Sequence, residues 1–180
     1  TFRLLQYILQ QINIKVVNSI NKFEAKDWDN CNKNGNVFLS YNFLKLLEDS
    51  NSIGGNTGWQ PIYFCLKVDD KITAVVPSFI KYHSQGEFVF DHSWAQAYQS
   101  LGLNYYPKLL IASPFSPVTG KRILITQNIN ALIKKKLFDF IKDFCKEKKI
   151  SSIHINFFEE NELDFLKNEG FLIRYGEQFH

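Results

Sequence analysis

An apolar stripe between residues 128 and 148 constrains the fold more than any other feature of this sequence. Its apolar residues recur at steps of three, four or one, at Ile129, Leu132, Ile133, Leu137, Phe140, Ile141, Phe144 and Cys145. This spacing predicts an α-helix that buries one face. Asn128 or Asn130 is available as the N-cap of that helix.

The residues after this helix predict a strand, a helix and a further strand. Residues 152–157 alternate with period two, which is typical of a strand with Ile153, Ile155 and Phe157 on one face. A second helix is predicted to open at the glutamates Glu159, Glu160 and Glu162, since acidic side chains suit the positive start of a helix. Gly170 can end it in a left-handed conformation, and residues 171–175 resume strand character.

The first half of the chain predicts two helices and a hairpin. In order, we expect a strand at 13–17, helices at 19–31 and 40–49, and strands at 63–68 and 71–81 around a tight turn at Asp69 and Asp70. Residues 88–90 can continue this meander, 92–103 read as a short helix or a loop, and 106–111 and 122–125 read as strands. We therefore expect an α+β domain over residues 13–180, preceded by an extension over 1–12.

Length and composition bound the remaining possibilities. The 180 residues suit one domain or half of a larger two-domain enzyme. The longest apolar runs, such as 109–112, are far shorter than the ~20 residues of a membrane-spanning helix, so no span is expected. The chain contains no Met, even at position 1, and we expect it to be a fragment. Its excess lysines concentrate between 134 and 149, where a solvated helix face competes with a nucleic-acid patch as the explanation.

The three cysteines argue against a disulfide framework and a metal site. Cys31, Cys65 and Cys145 are widely separated, and no zinc-ligand spacing occurs. Buried, reduced thiols in a cytoplasmic protein are the expectation. No nucleophile elbow or phosphate-binding loop signature is present either, so hydrolase and nucleotidase functions have no motif behind them.

The residues between 55 and 120 interleave aromatic side chains with charges and prolines. The blocks are GNTGWQP, HSQGEFVFDHSWAQAY, NYYPKL and PFSPVTGKRIL. An interior strand requires only alternating apolar residues, and an unpaired charge is costly to desolvate. This interleaving therefore predicts a cleft lined by charged and aromatic side chains.

The order of elements and the blocks together resemble a known family. The order is similar to that of the GNAT acyltransferase fold, with 164–171 resembling its last helix and following strand. The blocks FLSYNFLKLLEDSNSIGGNTGWQP, SQGEFVFDHSWAQAY, YYPKL, PFSPVTGKRIL and GEQFH closely resemble the bacterial FemAB-like family of predicted N-acyltransferases, also described as peptidoglycan biosynthesis and recognition proteins. The resemblance extends over about 14–180.

This resemblance implies a fold, a reaction and a set of partners. The fold would be a mixed, mainly antiparallel sheet flanked by helices. The reaction would transfer an acyl or aminoacyl group to an amine, including one on a peptidoglycan precursor, from acyl-CoA or aminoacyl-tRNA, with no bound cofactor. Family members are about twice this long, which implies that a second GNAT-like half is absent from this chain.

One departure from the family pattern supports an alternative function. In the acetyl-CoA-using branch, a glycine-rich turn before the long helix holds the pyrophosphate, but residues 126–130 contain no glycine. This departure argues against acetyl-CoA binding by this half. The alternative is a non-catalytic half that recognises a peptidoglycan-like or peptide acceptor.

Aminolysis of an acyl group needs a base, and Glu87 and Asp91 are the first candidates. They are four residues apart, so both would point to one face of an extended strand. Aromatic surroundings tend to raise carboxyl pKa values toward neutrality. The alternative pairs both with Lys108, Arg122 or a backbone amide as structural charges. His180 is a third catalytic candidate, because histidine is the commonest proton carrier near neutral pH, and it shares a strand face with Gln178.

The candidate substrate-binding residues flank these carboxylates in sequence. Tyr105, Tyr106 and Lys108 surround Pro107 and can present hydroxyl and ammonium donors, although tyrosines in strands more often serve packing. Prolines 114 and 117 with Gly120 would hold Ser116 and Thr119 at a rim, or form an ordinary tight connection. We predict Trp59, Tyr105, Tyr106, Lys108, Ser116, Thr119 and Gln178 as substrate-binding residues.

Overall fold

A computed structural model describes residues 12–33, 35–126 and 129–176 as a mixed sheet with helices on both faces. The strands are β1 (Ile12–Val17), β2 (Trp59–Val68), β3 (Lys71–Lys81), β4 (Lys108–Ile111), β5 (Leu124–Ile125) and β6 (Ile153–Ile155). The α-helices are α1 (Ala25–Cys31), α2 (Tyr41–Asp49), α3 (His92–Ser100), α4 (Ala131–Glu147) and α5 (Leu163–Asn168). Short 3-10 turns cover Ile20–Lys22, Val37–Leu39 and Glu160–Glu162.

The sheet is mainly antiparallel, with strand order β1-β2-β3-β4-β6. Its one parallel pair among the described strands joins β4 to β6, with Leu110 opposite His154. The α+β class predicted from the sequence is thereby confirmed. The hairpin between β2 and β3 is also confirmed, because Asp69 and Asp70 both adopt positive φ, at 49° and 60°, as its tight turn requires.

Two separate strands, β4 and β5, together occupy the place next to β3 in the sheet. Residues 78–81 of β3 pair with β4, while Ala74 and Val75 of the same strand pair with β5. Both β4 and β5 therefore lie along the same edge of β3, and residues 112–123 leave the sheet between them. Within this excursion Gly120 makes a single parallel bridge to Phe158.

Both faces of the sheet are covered, which explains why β2 and β3 read as nearly continuous apolar runs. One face packs Tyr63 and Phe79 against α1, where Trp28 meets Tyr63 edge to face with ring centroids 5.2 Å apart. The other face packs Phe64 against α4, whose apolar stripe includes Leu137. Fully burying each such side chain contributes about 1.5–3 kcal/mol.

Several local predictions need correction. Residues 88–90 form no strand, because Phe88 has φ 57° and the chain turns toward α3. Residues 171–175 form no strand either. The helix predicted at 19–31 is split into the 3-10 turn at Ile20–Lys22 and α1. The stripe helix is confirmed as α4, with Asn130 as its N-cap, while Asn128 lies outside the described residues.

Candidate functional site

Three side chains form a row across one end of the sheet. Trp59 of β2 pairs with Lys81 of β3, and Lys81 pairs in turn with Lys108 of β4. Directly opposed residues in antiparallel strands share a face, so one indole and two ammonium groups lie side by side. Both lysines are fully buried, at 0% exposure, and buried charges require partners.

The Lys108 ammonium group has three hydrogen-bond acceptors. Its Nζ donates to Glu87 Oε2 at 2.9 Å, to Asp91 Oδ2 at 2.5 Å and to Ser84 Oγ at 2.8 Å. An ammonium group has three N–H donors, so this set satisfies it completely. Glu87 and Asp91 are buried as well. We refer to Lys81, Lys108, Glu87 and Asp91 as the buried ion network.

Two tyrosines are tied to this network through their hydroxyl groups. Tyr105 donates its phenol proton to Asp91 Oδ2 at 2.7 Å. The Tyr106 hydroxyl lies 2.8 Å from Ser84 Oγ, which in turn accepts from Lys108. The two rings meet edge to face with centroids 5.1 Å apart. Both hydroxyl groups therefore point into the protein.

Lys81 is held more loosely than Lys108. Its Nζ lies 3.7 Å from the ring centroid of Trp59, donates to the Gln85 carbonyl at 3.2 Å and lies 3.8 Å from Glu87 Oε1. Glu87 Oε1 has no hydrogen-bond partner among the described residues. A cation over an indole face is stabilised by the ring quadrupole, which supplements the incomplete ion pair.

Burial and pairing shift the pKa values of the network in different directions. Burial raises the pKa of Glu87, with Lys108 opposing that shift. Burial also acts to raise the pKa of Asp91, but its hydrogen bonds, led by the one from Lys108, outweigh burial and lower the pKa to about 2. Burial lowers the pKa of Lys81 to about 7, and burial likewise lowers the pKa of neighbouring His154 to about 4. Asp91 is thus the firmly ionised partner of Lys108.

The chain reaches the network through the connection between β3 and β4, residues 82–107. Gly86 has φ 77°, and a Cβ there would lie 3.0 Å from the ring of Phe115, so both the turn and the close contact favour glycine. Asp91 occupies the N-cap position of α3 but makes no capping hydrogen bond. Its carboxylate is directed to Lys108 and Tyr105 instead.

A cavity of about 440 Å³ lies at the other end of β3, beside the broken strand. We refer to it as the interstrand cavity. Its lining comes from residues 31–33 and 35–38 before α2, from the 118–121 part of the excursion, from 124–126 around β5, and from Glu159. Parallel pairing is interrupted at this point, because the excursion meets the chain after β6 through the Gly120–Phe158 bridge alone.

Two asparagines of this cavity have fixed amide orientations. Asn32 Nδ2 donates to the Asn36 carbonyl at 2.9 Å, and Asn36 Oδ1 accepts from the Phe38 amide at 3.1 Å. Each amide keeps one buried atom, Asn32 Oδ1 and Asn36 Nδ2, without a partner among the described residues. Such atoms are costly to leave unpaired, and both are buried below the surface of the cavity.

A buried arginine anchors the wall of the cavity. Arg122 is 1% exposed, and its guanidinium group donates to the carbonyls of Asn156 at 2.7 Å and Val118 at 2.6 Å. Burial lowers its pKa to about 10, with Glu162 opposing. The Arg122 and Ile123 amides donate to the Glu162 carboxylate. This excursion is therefore pinned by side chains in place of a strand ladder.

The structure brings most of the predicted site residues together. Glu87, Asp91, Tyr105, Tyr106 and Lys108 share the buried ion network and its tyrosines, and Trp59 adjoins them through Lys81. Thr119 lines the interstrand cavity instead, and Ser116 is buried. Gln178 and His180 lie outside the described residues.

The geometry that was predicted for Glu87 and Asp91 is wrong, although the two carboxylates do meet. They were expected on one extended strand, but they lie on a loop and at the start of α3. Their pairing with Lys108 matches the structural alternative, and Arg122 lies elsewhere. Their catalytic role stays a prediction.

Sequence reasoning missed Lys81, Asn32, Asn36 and Glu159. Lys81 ends an apolar strand and looks solvated until Lys108 is placed beside it. The asparagines stand in a polar loop, where such residues are common. The available signal was Gly35 between these two asparagines, since glycine with asparagine is typical of a turn.

Comparison with known proteins decides the family. The model of the FemAB-like family, described as peptidoglycan biosynthesis/recognition, matches residues 19–180. The chain belongs to the FemAB-like family. No curated protein matches its sequence.

Solved structures similar to this FemAB-like chain are acetyltransferases. A ribosomal-protein-alanine N-acetyltransferase from Brucella melitensis biovar Abortus 2308 has 12% identity and a TM-score of 0.53, over 93% of this chain and 99% of that one. A possible acetyltransferase from Clostridium difficile 630 has 16% identity and a TM-score of 0.52, over 94% of this chain and 97% of that one. An aminoglycoside acetyltransferase from an uncultured soil metagenomic sample, solved with sisomicin, has 15% identity and a TM-score of 0.54, over 96% of this chain and 97% of that one. At these identities the likeness shows the fold, which is the GNAT fold.

Two further observations limit the chemistry of the described residues. Over 12–33, 35–126 and 129–176, no three His, Cys, Asp or Glu side chains group as metal ligands would. None of the helices in these ranges is long and apolar enough to span a membrane.

Proposed function

We propose that this chain is an N-acyltransferase whose reaction takes place in the interstrand cavity. Family membership and the acetyltransferase fold support the class of reaction. The observation that carries the location is the cavity itself, of about 440 Å³, beside residues 118–121, whose bridge partner in the chain after β6 is reached through Gly120. This volume is typical of a site for a small molecule.

Glu159 is the proposed base. It is the acidic side chain among the described lining residues, and it is half-buried. Asn161 Nδ2 donates to its Oε2 at 3.1 Å, which orients the carboxylate. As the acceptor nitrogen bonds to the acyl carbon, Glu159 takes the proton that the nitrogen loses. The bond from the acyl carbon to the sulfur of a thioester donor breaks, and its electron pair leaves with the sulfur. The thiolate then takes up a proton from solvent, and Glu159 releases to solvent the proton that it accepted.

The polar groups around Glu159 suit an amine that carries hydrogen-bonding substituents. Thr119, Asn32 and Asn36 line the same cavity. Fixed donors and acceptors orient a substrate at low entropic cost. The family description is consistent with an amine on a peptidoglycan precursor, and the aminoglycoside acetyltransferase among the similar structures was solved with sisomicin.

An acyl thioester such as acyl-CoA is the proposed donor. The support is that the three similar structures are acetyltransferases by name. The comparisons give no support to an aminoacyl-tRNA donor or to an absent second half. The division into an extension at 1–12 and a domain at 13–180, and a cytoplasmic location, stay proposals.

The decisive experiment measures thiol release by the full chain with acetyl-CoA and a panel of primary amines. Glu159→Gln should lower the rate by about 100-fold or more, the usual contribution of a general base. Glu160→Gln is the matched control, because Glu160 is exposed and does not line the cavity. A wild-type rate in Glu159→Gln would remove Glu159 from the mechanism, and no thiol release with any amine would refute the proposed activity.

A second function has one observation in its favour. Asn130 Oδ1 accepts from the Ile133 amide at 2.9 Å, so the side chain of the chain's own N-cap occupies part of the anion-binding start of α4. The preceding turn, 126–130, also lacks glycine. A non-catalytic domain that recognises a peptide or peptidoglycan-like acceptor would follow. Calorimetry separates the two functions, since that domain would bind an amine acceptor without binding CoA.

A further inference from the structure

A second concavity lies on the outside of the buried ion network, between α3 and residues 103–106. It has a volume of about 500 Å³. We refer to it as the tyrosine-floored groove. Its hydrogen-bonding side chains are those of His92, Gln96, Gln99, Asn104, Tyr105 and Tyr106. Nothing in the proposed acyl transfer uses them.

The lining of this groove carries no fixed charge. No lysine or arginine occurs between positions 82 and 107, and the two carboxylates of that segment, Glu87 and Asp91, are buried against Lys108. A phosphate or carboxylate ligand would find no free cation in the lining, and an ammonium ligand would find no free carboxylate. The groove therefore suits a neutral ligand.

The floor of the groove presents aromatic carbon. Tyr105 and Tyr106 direct their hydroxyl groups inward to Asp91 and Ser84. Because these hydroxyl groups are engaged below the surface, ring edges and faces are what the two tyrosines offer to a ligand. These hydrogen bonds to Asp91 and Ser84 hold the two rings in place, so the buried ion network, whose charges are costly to bury, fixes the floor of the groove.

The wall of the groove presents amides. Helix α3 contains no buried residue at all, and Gln96 and Gln99 lie on it at helical spacing toward the groove. Asn104 adds a third amide from the opposite side. Each side-chain amide offers two N–H donors and one carbonyl acceptor. Their combination over aromatic carbon complements a molecule with many hydroxyl groups on an apolar ring.

We propose that the tyrosine-floored groove binds a neutral saccharide. The C–H face of a sugar ring would lie mainly on the half-buried Tyr106, with Tyr105 beside it, while its hydroxyl groups would bond to Gln96, Gln99 and Asn104. This site goes beyond the proposed acyl transfer. Lys81, which pairs with Lys108 next to the two tyrosines, and Val75, which pairs with β5, are six residues apart on β3, or about 20 Å at ~3.3 Å per residue.

The test is isothermal titration of the full chain with chitotriose, cellotriose and maltotriose at millimolar concentrations. At least one of the three saccharides should bind. Its affinity should be about five-fold lower for each of the single variants Gln96→Ala and Gln99→Ala, the effect of losing one net hydrogen bond. Gln85→Ala is the matched control. Gln85 is exposed in the same segment but lies outside the groove, so its replacement should leave affinity unchanged.

Three results would overturn the proposal. Absence of saturable binding by all three saccharides would show that the groove is not a saccharide site. Equal affinity in wild type, Gln96→Ala and Gln99→Ala would place the binding elsewhere. Self-association in sedimentation velocity that Gln96→Ala abolishes would identify a second copy of the chain as the occupant. None of these readouts depends on acyl transfer.

Discussion

Lys108→Met removes the cation on which two buried carboxylates depend. Methionine preserves most of the apolar stem, so the loss is largely that of the ammonium group and its three hydrogen bonds. Glu87 and Asp91 then remain at 5% and 2% exposure without Lys108. Removing one partner of a buried ion pair costs about 3–5 kcal/mol, and we expect that reduction in the free energy of unfolding at pH 7.

The pH dependence of this loss follows from Asp91. Its pKa is about 2 in the folded protein, against about 3.9 in an unfolded chain. A lowered pKa contributes stability above the unfolded value, and this stability is lost as the pH falls through the folded value; for Asp91 it amounts to about 2.6 kcal/mol. Without Lys108, burial is opposed by fewer hydrogen bonds, so we expect the pKa of Asp91 to rise and the variant to lose less stability than the wild type on acidification. The deficit of Lys108→Met should therefore shrink below about pH 4.

Urea unfolding, followed by tryptophan fluorescence at pH 7 and pH 3, measures this prediction. Lys148→Met is the matched control, since the Lys148–Glu147 pair is exposed and such pairs contribute less than about 1 kcal/mol. The triple variant Lys108→Met, Glu87→Gln, Asp91→Asn removes every charge that Lys108 contacts and should recover much of the loss. A deficit for Lys108→Met below about 1 kcal/mol at pH 7, or one that does not shrink at pH 3, refutes the reasoning.

Three further predictions concern β3 and the excursion. Burial lowers the pKa of Lys81 from 10.5 to about 7, so the unfolding free energy should rise from pH 7 to pH 9 by up to about 1.4 kcal/mol per unit, and Lys81→Met should flatten this rise in urea titrations. Gly120→Ala would place a Cβ 2.8 Å from Asn36 Nδ2, and we expect about a ten-fold increase in the KM of an amine acceptor, because crowding a packed site costs about 1–3 kcal/mol. Phe115 has φ 54°, so Phe115→Gly should have a free energy of unfolding about 1 kcal/mol higher than that of Phe115→Ala in urea titrations. Equal unfolding midpoints for the two variants would contradict that expectation.

The parts of the fold that were predictable are those whose signal is local. Helix α4 has a stripe of apolar residues, and the β2–β3 hairpin has two residues that tolerate positive φ between two apolar runs. Each signal lies within one element and does not depend on what packs against it. Gly170, with φ 85° after α5, belongs to the same class.

The candidate site was predictable only as a set of residues. Glu87 and Asp91 were identified from their charge among aromatic side chains, but their meeting point is set by Lys108, which lies 17 positions beyond Asp91. The predicted strand failed because Phe88 adopts positive φ, which few non-glycine residues do. Lys81 escaped notice because strand register decides whether an end-of-strand lysine is solvated or buried, and register is a tertiary property.

The interstrand cavity exists because a strand is broken, and the break is stabilised by side chains. If β4 continued directly into β5, its amides and carbonyls would bond to neighbouring strands, and no space would remain beside Glu159. In the excursion, the Arg122 and Ile123 amides instead donate hydrogen bonds to the Glu162 carboxylate. The Arg122 guanidinium group donates to the carbonyls of Val118 and Asn156. Since buried backbone groups must be paired, this buried arginine and glutamate replace a missing ladder, and the cavity depends on both.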